Sequence, residues 1–196
     1  MHTLKQTPSQ TVGPFFAYGL CPEQYHFDLK SLFTATVAAP HVAGEHILLV
    51  GTVHDGAGQV VPDAVIEFLQ ADASGQYVTS AADAQKTGFK GFARVGTGTD
   101  PDQRYVVETI KPGAAAPGAA PCIDVIVHMR GMLLHAYTRI YFEDEETANA
   151  QDEVLATVPA ARRPTLIAKR EPGSSRKVYR FDIRLQGPNE TVFFDV

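Results

Sequence analysis

Cysteine is scarce in this chain: Cys21 and Cys122 stand far apart without metal-type spacing, which argues against a disulfide framework and leaves two reduced thiols as the expectation. Positive charge is also in short supply. Seventeen Lys and Arg stand against 22 Asp and Glu, for a formal net charge of -5, and no basic stripe appears. Nucleic acid and anionic membrane surfaces are therefore disfavoured as partners, because their phosphates ask for a basic surface. No apolar run reaches transmembrane length, and Met1 to Gln10 lacks the apolar core of a signal peptide. The expectation is a soluble, cytoplasmic protein. Familiar catalytic signatures are missing as well: there is no nucleophile elbow, no phosphate-binding glycine loop and no cysteine–histidine signature. Seven histidines are present, yet no two have the spacing of a metal pair on a helix or strand.

What is present is enough apolar residue for one core. With 196 residues, 44% of them hydrophobic, the chain is long enough for one well-buried domain and marginal for two. Most of it reads as strand. His46 to Val53 is β-branched and aliphatic and stops at Asp55-Gly56-Ala57-Gly58, a hairpin-type turn. Further strands are predicted over 64–72, 104–110, 123–130, 135–142, 166–170, 178–185 and 191–195. Short strands separated by turns predict a mainly β, single-domain sandwich. One helix is predicted over 143–157, with acidic residues in its first turn and Pro159 after its end. The Gly, Ala, Ser and Lys-rich segment 73–98 and the Ala, Gly and Pro-rich segment 112–121 read as loops. The expected division is an arm and interface segment over 1–45 and a sandwich core over 46–196.

The arm Thr7-Pro8-Ser9-Gln10-Thr11-Val12-Gly13-Pro14-Phe15-Phe16 stands out. Two prolines and a glycine exclude a regular helix through it and disfavour a central strand, yet it ends in adjacent phenylalanines. Either Phe15 and Phe16 tuck under the chain's own sandwich, or the arm lines a site or an interface. A second region is singled out by strand parity. Ile123, Val125, Val127 and Met129 share the face expected to be core, while Cys122, Asp124, Ile126, His128 and Arg130 share the other. That second face either meets water or borders a polar cleft.

These segments carry a resemblance. The arm through Phe15, Gly44 to Gly51, Glu67 to Asp72, Lys111-Pro112-Gly113, Thr138 to Phe142, and the tail from Thr165 to Arg170 and Glu190 to Asp195 resemble the intradiol ring-cleavage dioxygenases end to end. Among these they resemble the alpha subunits of the protocatechuate-cleaving members. The resemblance implies insertion of dioxygen between the hydroxyl-bearing carbons of a catechol acid, giving 3-carboxy-cis,cis-muconate in the beta-ketoadipate pathway.

Catalytic chains of that family hold non-haem Fe(III) with two tyrosinates and two histidines, hard donors and imidazoles suited to the ion. By resemblance, Cys122 and Asp124 stand where the histidines belong. Ala114-Ala115-Ala116 follows the Lys-Pro-Gly turn where one tyrosine belongs, and Val78 to Gly91 contains none for the other. The resemblance therefore implies no catalytic residue and no metal ligand in this chain. It implies Fe(III) held by a homologous beta subunit, a higher-order alpha-beta oligomer, and an active site at their boundary. Substrate-binding residues carried over in this way are Thr11, Gly13, Pro14 and Phe15 of the arm and Arg130, whose guanidinium favours a carboxylated catechol. Arg130 could instead form a surface or interface salt bridge. His135 and Tyr137 are expected to be structural. Two other readings are a transthyretin-like β-sandwich binding module, suggested by the hairpin from Gly51 to Val65, and a structural partner that caps an enzyme without touching substrate.

Overall fold

The computed structural model describes residues 5–173 and 176–195. It is mainly β. The strands are β1 His46–His54, β2 Val65–Gln70, β3 Phe92–Gly96, β4 Arg104–Ile110, β5 Cys122–His128, β6 Ala136–Phe142, β7 Ile167–Glu171, β8 Lys177–Arg180 and β9 Ile183–Arg184. Their order is β3-β2-β5-β6-β7-β8-β1-β4, with β9 also on β1. This continuous sheet doubles over its own inner face. The half built on β2 and β5 contributes Ile66, Phe68, Ile123, Val125 and Val127 to one main core, and the half built on β1 and β4 contributes Leu49, Val53, Tyr105 and Val107. The Phe68 and Tyr105 rings meet across the layers at 5.3 Å. Such an apolar interior between two sheet faces is what a sandwich requires.

The hairpin turn after β1 forms for an identifiable reason. The Asp55 carboxylate accepts from the backbone N–H groups of Ala57 and Gln59 at 2.9 and 2.8 Å, so a side chain supplies the bonds that the turning backbone cannot. Gly51 is needed in β1 because a Cβ there would collide with the Phe181 carbonyl, to which the Tyr105 hydroxyl donates.

Several predicted boundaries change. The segment 73–98 is not a plain loop: it holds α2, Ala81–Thr87, and the edge strand β3. Ser80 caps α2 by accepting from Asp83 N at 3.1 Å, and Gly88 closes it in the left-handed region at φ 77. The helix expected over 143–157 is two, α3 Glu146–Gln151 and α4 Glu153–Thr157. Asp152 breaks them, because its backbone is extended and its carboxylate caps α4 through Leu155 N at 2.7 Å. The strand expected over 178–185 splits at Phe181-Asp182. Here Asp182 Oδ1 accepts from the N–H and hydroxyl of Thr52, each at 3.0 Å, replacing a ladder bond with side-chain bonds. Residues 191–195 form no extended ladder; a single bridge joins Phe194 to Tyr137. Where the arm joins the body, Phe16–Leu20 forms the short helix α1, and further on Val37 and Ala38 are buried in the main core. Among the described residues, no helix is long and apolar enough to cross a membrane.

Candidate functional site

The strand parity of β5 is what creates the candidate site. Ile123, Val125 and Val127 are buried in the core, while Cys122, Asp124, Ile126 and His128 alternate onto the outer face. At one end of that face, α1 lies over the strands: Ala17, Cys21 and Val65 are buried together, and the Phe16 ring sits 5.8 Å from the His128 ring. Phe16 is thus partly covered by the chain's own fold. Phe15 is not, being 74% exposed with its edge against Tyr18.

The arm is tied to the end of β5. Thr11 Oγ1 accepts from the backbone N–H of Gly131 at 2.7 Å, and Gly131 turns the chain at φ 89, a conformation that favours glycine. Gly13 and Pro14 are exposed in the following turn, where Phe16 N–H donates to the Gly13 carbonyl at 3.1 Å. Between the arm and the β5–β6 connection lies a groove of about 170 Å³ lined by Val12, His128, Met129, Leu133, Leu134 and His135. Thr11 therefore adjoins the turn that carries Arg130, and Gly13, Pro14 and Phe15 follow it along the arm. Arg130 itself is paired: its Nε lies 2.7 Å from Asp63 Oδ2, the salt bridge that the sequence left open as an alternative. No other ion pair or hydrogen bond engages its guanidinium among the described residues.

Glu67, beneath α1, holds this end together electrostatically. His128 and then Arg94, whose Nε lies 2.7 Å from Glu67 Oε1, keep the carboxyl below its ordinary value of 4.5 against the opposing effect of burial. A depressed folded pKa means stabilisation that is present above about pH 4.5 and lost as pH falls through the lower folded value. Glu67→Gln should lower the melting temperature at pH 7, with wild type and variant converging as the pH falls below 4.5 and through the lower folded value in a thermal-unfolding series. A constant difference across that range would contradict this role.

Cys122 and Asp124, expected from the resemblance to stand in place of histidines, lie at the other end of the face and are engaged differently. Asp124 Oδ1 accepts from the Tyr137 hydroxyl at 2.6 Å and from Arg139 Nε at 2.8 Å. These bonds follow from register, since Asp124 lies opposite Arg139 and Cys122 opposite Tyr141. Burial pushes the Cys122 thiol up to about 12, so it is protonated at neutral pH. Burial and then the Asp124 bond push the Tyr137 hydroxyl to about 12. Burial opposes the charge of Arg139, but the negative charge that Asp124 carries and Cys122 would carry as a thiolate, with the hydroxyls of Tyr137 and Tyr141, outweighs it and raises its pKa. A tyrosine also stands close to this cluster. The stretch Val78 to Gly91 has none, but Tyr77, one residue earlier, comes within electrostatic reach of Asp124 and Cys122. Its signal in the sequence is plain, one position ahead of that stretch.

This donor set does not fit a ferric ion. Fe(III) asks for deprotonated hard oxygen donors and imidazole. Here the thiol is protonated and the carboxylate is already bonded to the Arg139 guanidinium and the Tyr137 hydroxyl. Among the described residues, no group of three or more His, Cys, Asp and Glu side chains is arranged to hold a metal.

Residues 30–187 match the family model described as Dioxygenase. The architecture is similar to that of an intradiol ring-cleavage dioxygenase from Tetranychus urticae, with a TM-score of 0.61 at 16% identity over 91% of this chain and 94% of that one. The fold is thus that of the intradiol dioxygenases. In sequence the chain is 65% identical, over 100% of both chains, to the protocatechuate 3,4-dioxygenase alpha chain of Burkholderia cepacia. It is also 31% identical, over 76% of this chain and 67% of the relative, to the beta chain of the same organism's enzyme. The chain belongs to the dioxygenase family, among the protocatechuate 3,4-dioxygenase alpha chains. The likeness to transthyretin-like modules is confined to one hairpin, whereas the family match takes in the whole sandwich.

Proposed function

We propose that this chain is the iron-free half of a cytoplasmic alpha-beta dioxygenase that opens the ring of protocatechuate with O2. Fe(III) and the chemical step belong to a homologous beta subunit. This chain, read as one domain with residues 1–45 supplying arm and interface and 46–196 the sandwich core, supplies one wall of the substrate pocket. The observation that supports the reading is the Thr11–Gly131 bond, which ties the arm to the turn beside Arg130. Exposed Phe15, Leu133 and Leu134 give that wall an apolar character suited to coverage by a partner. Within it, the Arg130 guanidinium receives the substrate carboxylate, and the exposed backbone at Gly13 and Pro14 allows close approach of the ring.

Arg130→Ala in the assembled enzyme should lower kcat/KM for protocatechuate by roughly tenfold to a hundredfold, the loss of one charge-assisted hydrogen bond of about 1.5 to 3 kcal/mol. Unchanged kcat/KM would remove Arg130 from the pocket. The partition of iron is tested by purifying the chain alone and with its beta subunit. Iron and oxygen uptake are expected only in the complex, and a coloured ferric-tyrosinate centre in the isolated chain would refute the proposal.

A further inference from the structure

We infer that Asp63 is a positioning residue for Arg130, and through it a determinant of selectivity for carboxylated over uncharged catechols; this rests on the reading of Arg130 given above. The two partners of this ion pair are unequal. The Asp63 side chain is 14% exposed and its Oδ2 is buried, while the Arg130 side chain is 57% exposed. Although Oδ2 lies 2.7 Å from Arg130 Nε, the pair is not aligned as a hydrogen bond, so Asp63 holds the guanidinium by charge. A carboxylate kept from water needs a counter-charge, and Arg130 is the cation that Asp63 meets among the described residues.

The consequence falls on the other side of the guanidinium. With Nε beside Asp63, no ion pair or hydrogen bond engages Nη1 and Nη2 among the described residues. An arginine whose Nη end is not engaged can offer that two-pronged end to a carboxylate in a bidentate manner, and the charge of Asp63 keeps the guanidinium near the turn. Without the anchor, a long side chain next to a glycine turn is free to spread over many rotamers, and that freedom must be lost each time substrate binds. Asp63 also repels an incoming carboxylate. The guanidinium lies between the two anions, however, and the gain in orientation is the larger effect. Asp63 lies at the turn before β2 and Arg130 just after β5, so the pairing of β2 with β5, which sets Val65 opposite His128, brings them together.

The test is a double-mutant cycle in the assembled alpha-beta enzyme, with protocatechuate and catechol as substrates. Asp63→Asn keeps the side chain's shape and removes its charge. It should lower kcat/KM for protocatechuate by about fivefold to tenfold, chiefly through KM, while leaving catechol within about twofold. In an Arg130→Ala background the same substitution should cost nothing further on protocatechuate. It should also raise the melting temperature there, because Arg130→Ala strands the buried carboxylate. Equal losses on both substrates, additive losses in the double variant, or unaltered protocatechuate kinetics alongside a damaged Arg130→Ala enzyme would each overturn the role of Asp63 alone. An Arg130→Ala enzyme with normal protocatechuate kinetics would overturn this inference together with the reading on which it rests.

Discussion

A chain lacking residues 1–16 should lose at least about a hundredfold in protocatechuate turnover, or fail to assemble with its beta subunit. The deletion removes two things at once. It takes away Phe15, whose exposed ring contributes about 1.5 to 3 kcal/mol if a partner covers it, and it takes away the pocket wall around Gly13 and Pro14. It also uncovers part of the body's own surface, because Phe16 packs beside His128 and against the Ala17, Cys21 and Val65 cluster. Gel filtration of the co-expressed subunits separates failed assembly from failed turnover. Phe15→Ala then isolates the interface share, since Phe15 touches little of its own chain. Normal assembly and normal oxygen uptake by the truncated chain would sink the role of the arm.

The second large effect is expected at the Asp124 cluster on the outer face of β5. Asp124→Ala should destabilise the protein by about 3 kcal/mol, since it strands the partly buried Arg139 guanidinium and leaves the Tyr137 hydroxyl without its acceptor. The paired change Asp124→Asn with Arg139→Met should cost much less, because both charges leave together and the methionine chain fills the same volume. Thermal unfolding of the three proteins measures the difference. If Asp124→Ala proves as mild as the pair, the cluster is an ordinary surface ion pair and contributes little.

The parts of this molecule that are legible in the sequence are those in which local chemistry and tertiary fate agree. β1 and β4 are β-branched runs closed by glycine or proline turns, and their predicted spans match the strands almost to the residue. The alternation of β5 likewise marks Ile123, Val125 and Val127 as core from residue pattern alone, and all three are buried. The misses have physical reasons. Segment 73–98 reads as loop from its Gly and Ala content, although Ser80 with Asp83 and the later Gly88 are start and stop signals for a short helix. The span 143–157 reads as one helix only while Asp152 counts as one more acidic residue rather than as a cap. Nothing in the sequence links Asp63 to Arg130, since their meeting depends on which strands pair. The same holds for Asp124 and Arg139: each residue is visible, but not the register that sets them opposite each other.

The place of β1 in the sheet has a consequence for how the chain is made. β1 is the first of the nine strands to leave the ribosome, yet it ends between β4 and β8, with Ile47 paired to Lys177 in parallel. Its second neighbour therefore does not exist until β8 has been synthesised, and the closing of that distant pair makes for a slow, high-contact-order folding step. Throughout this interval the arm and Phe15 are already outside. A nascent chain thus displays Phe15 before it has a body to present it from, and chaperone binding or early capture by the partner is favoured over waiting.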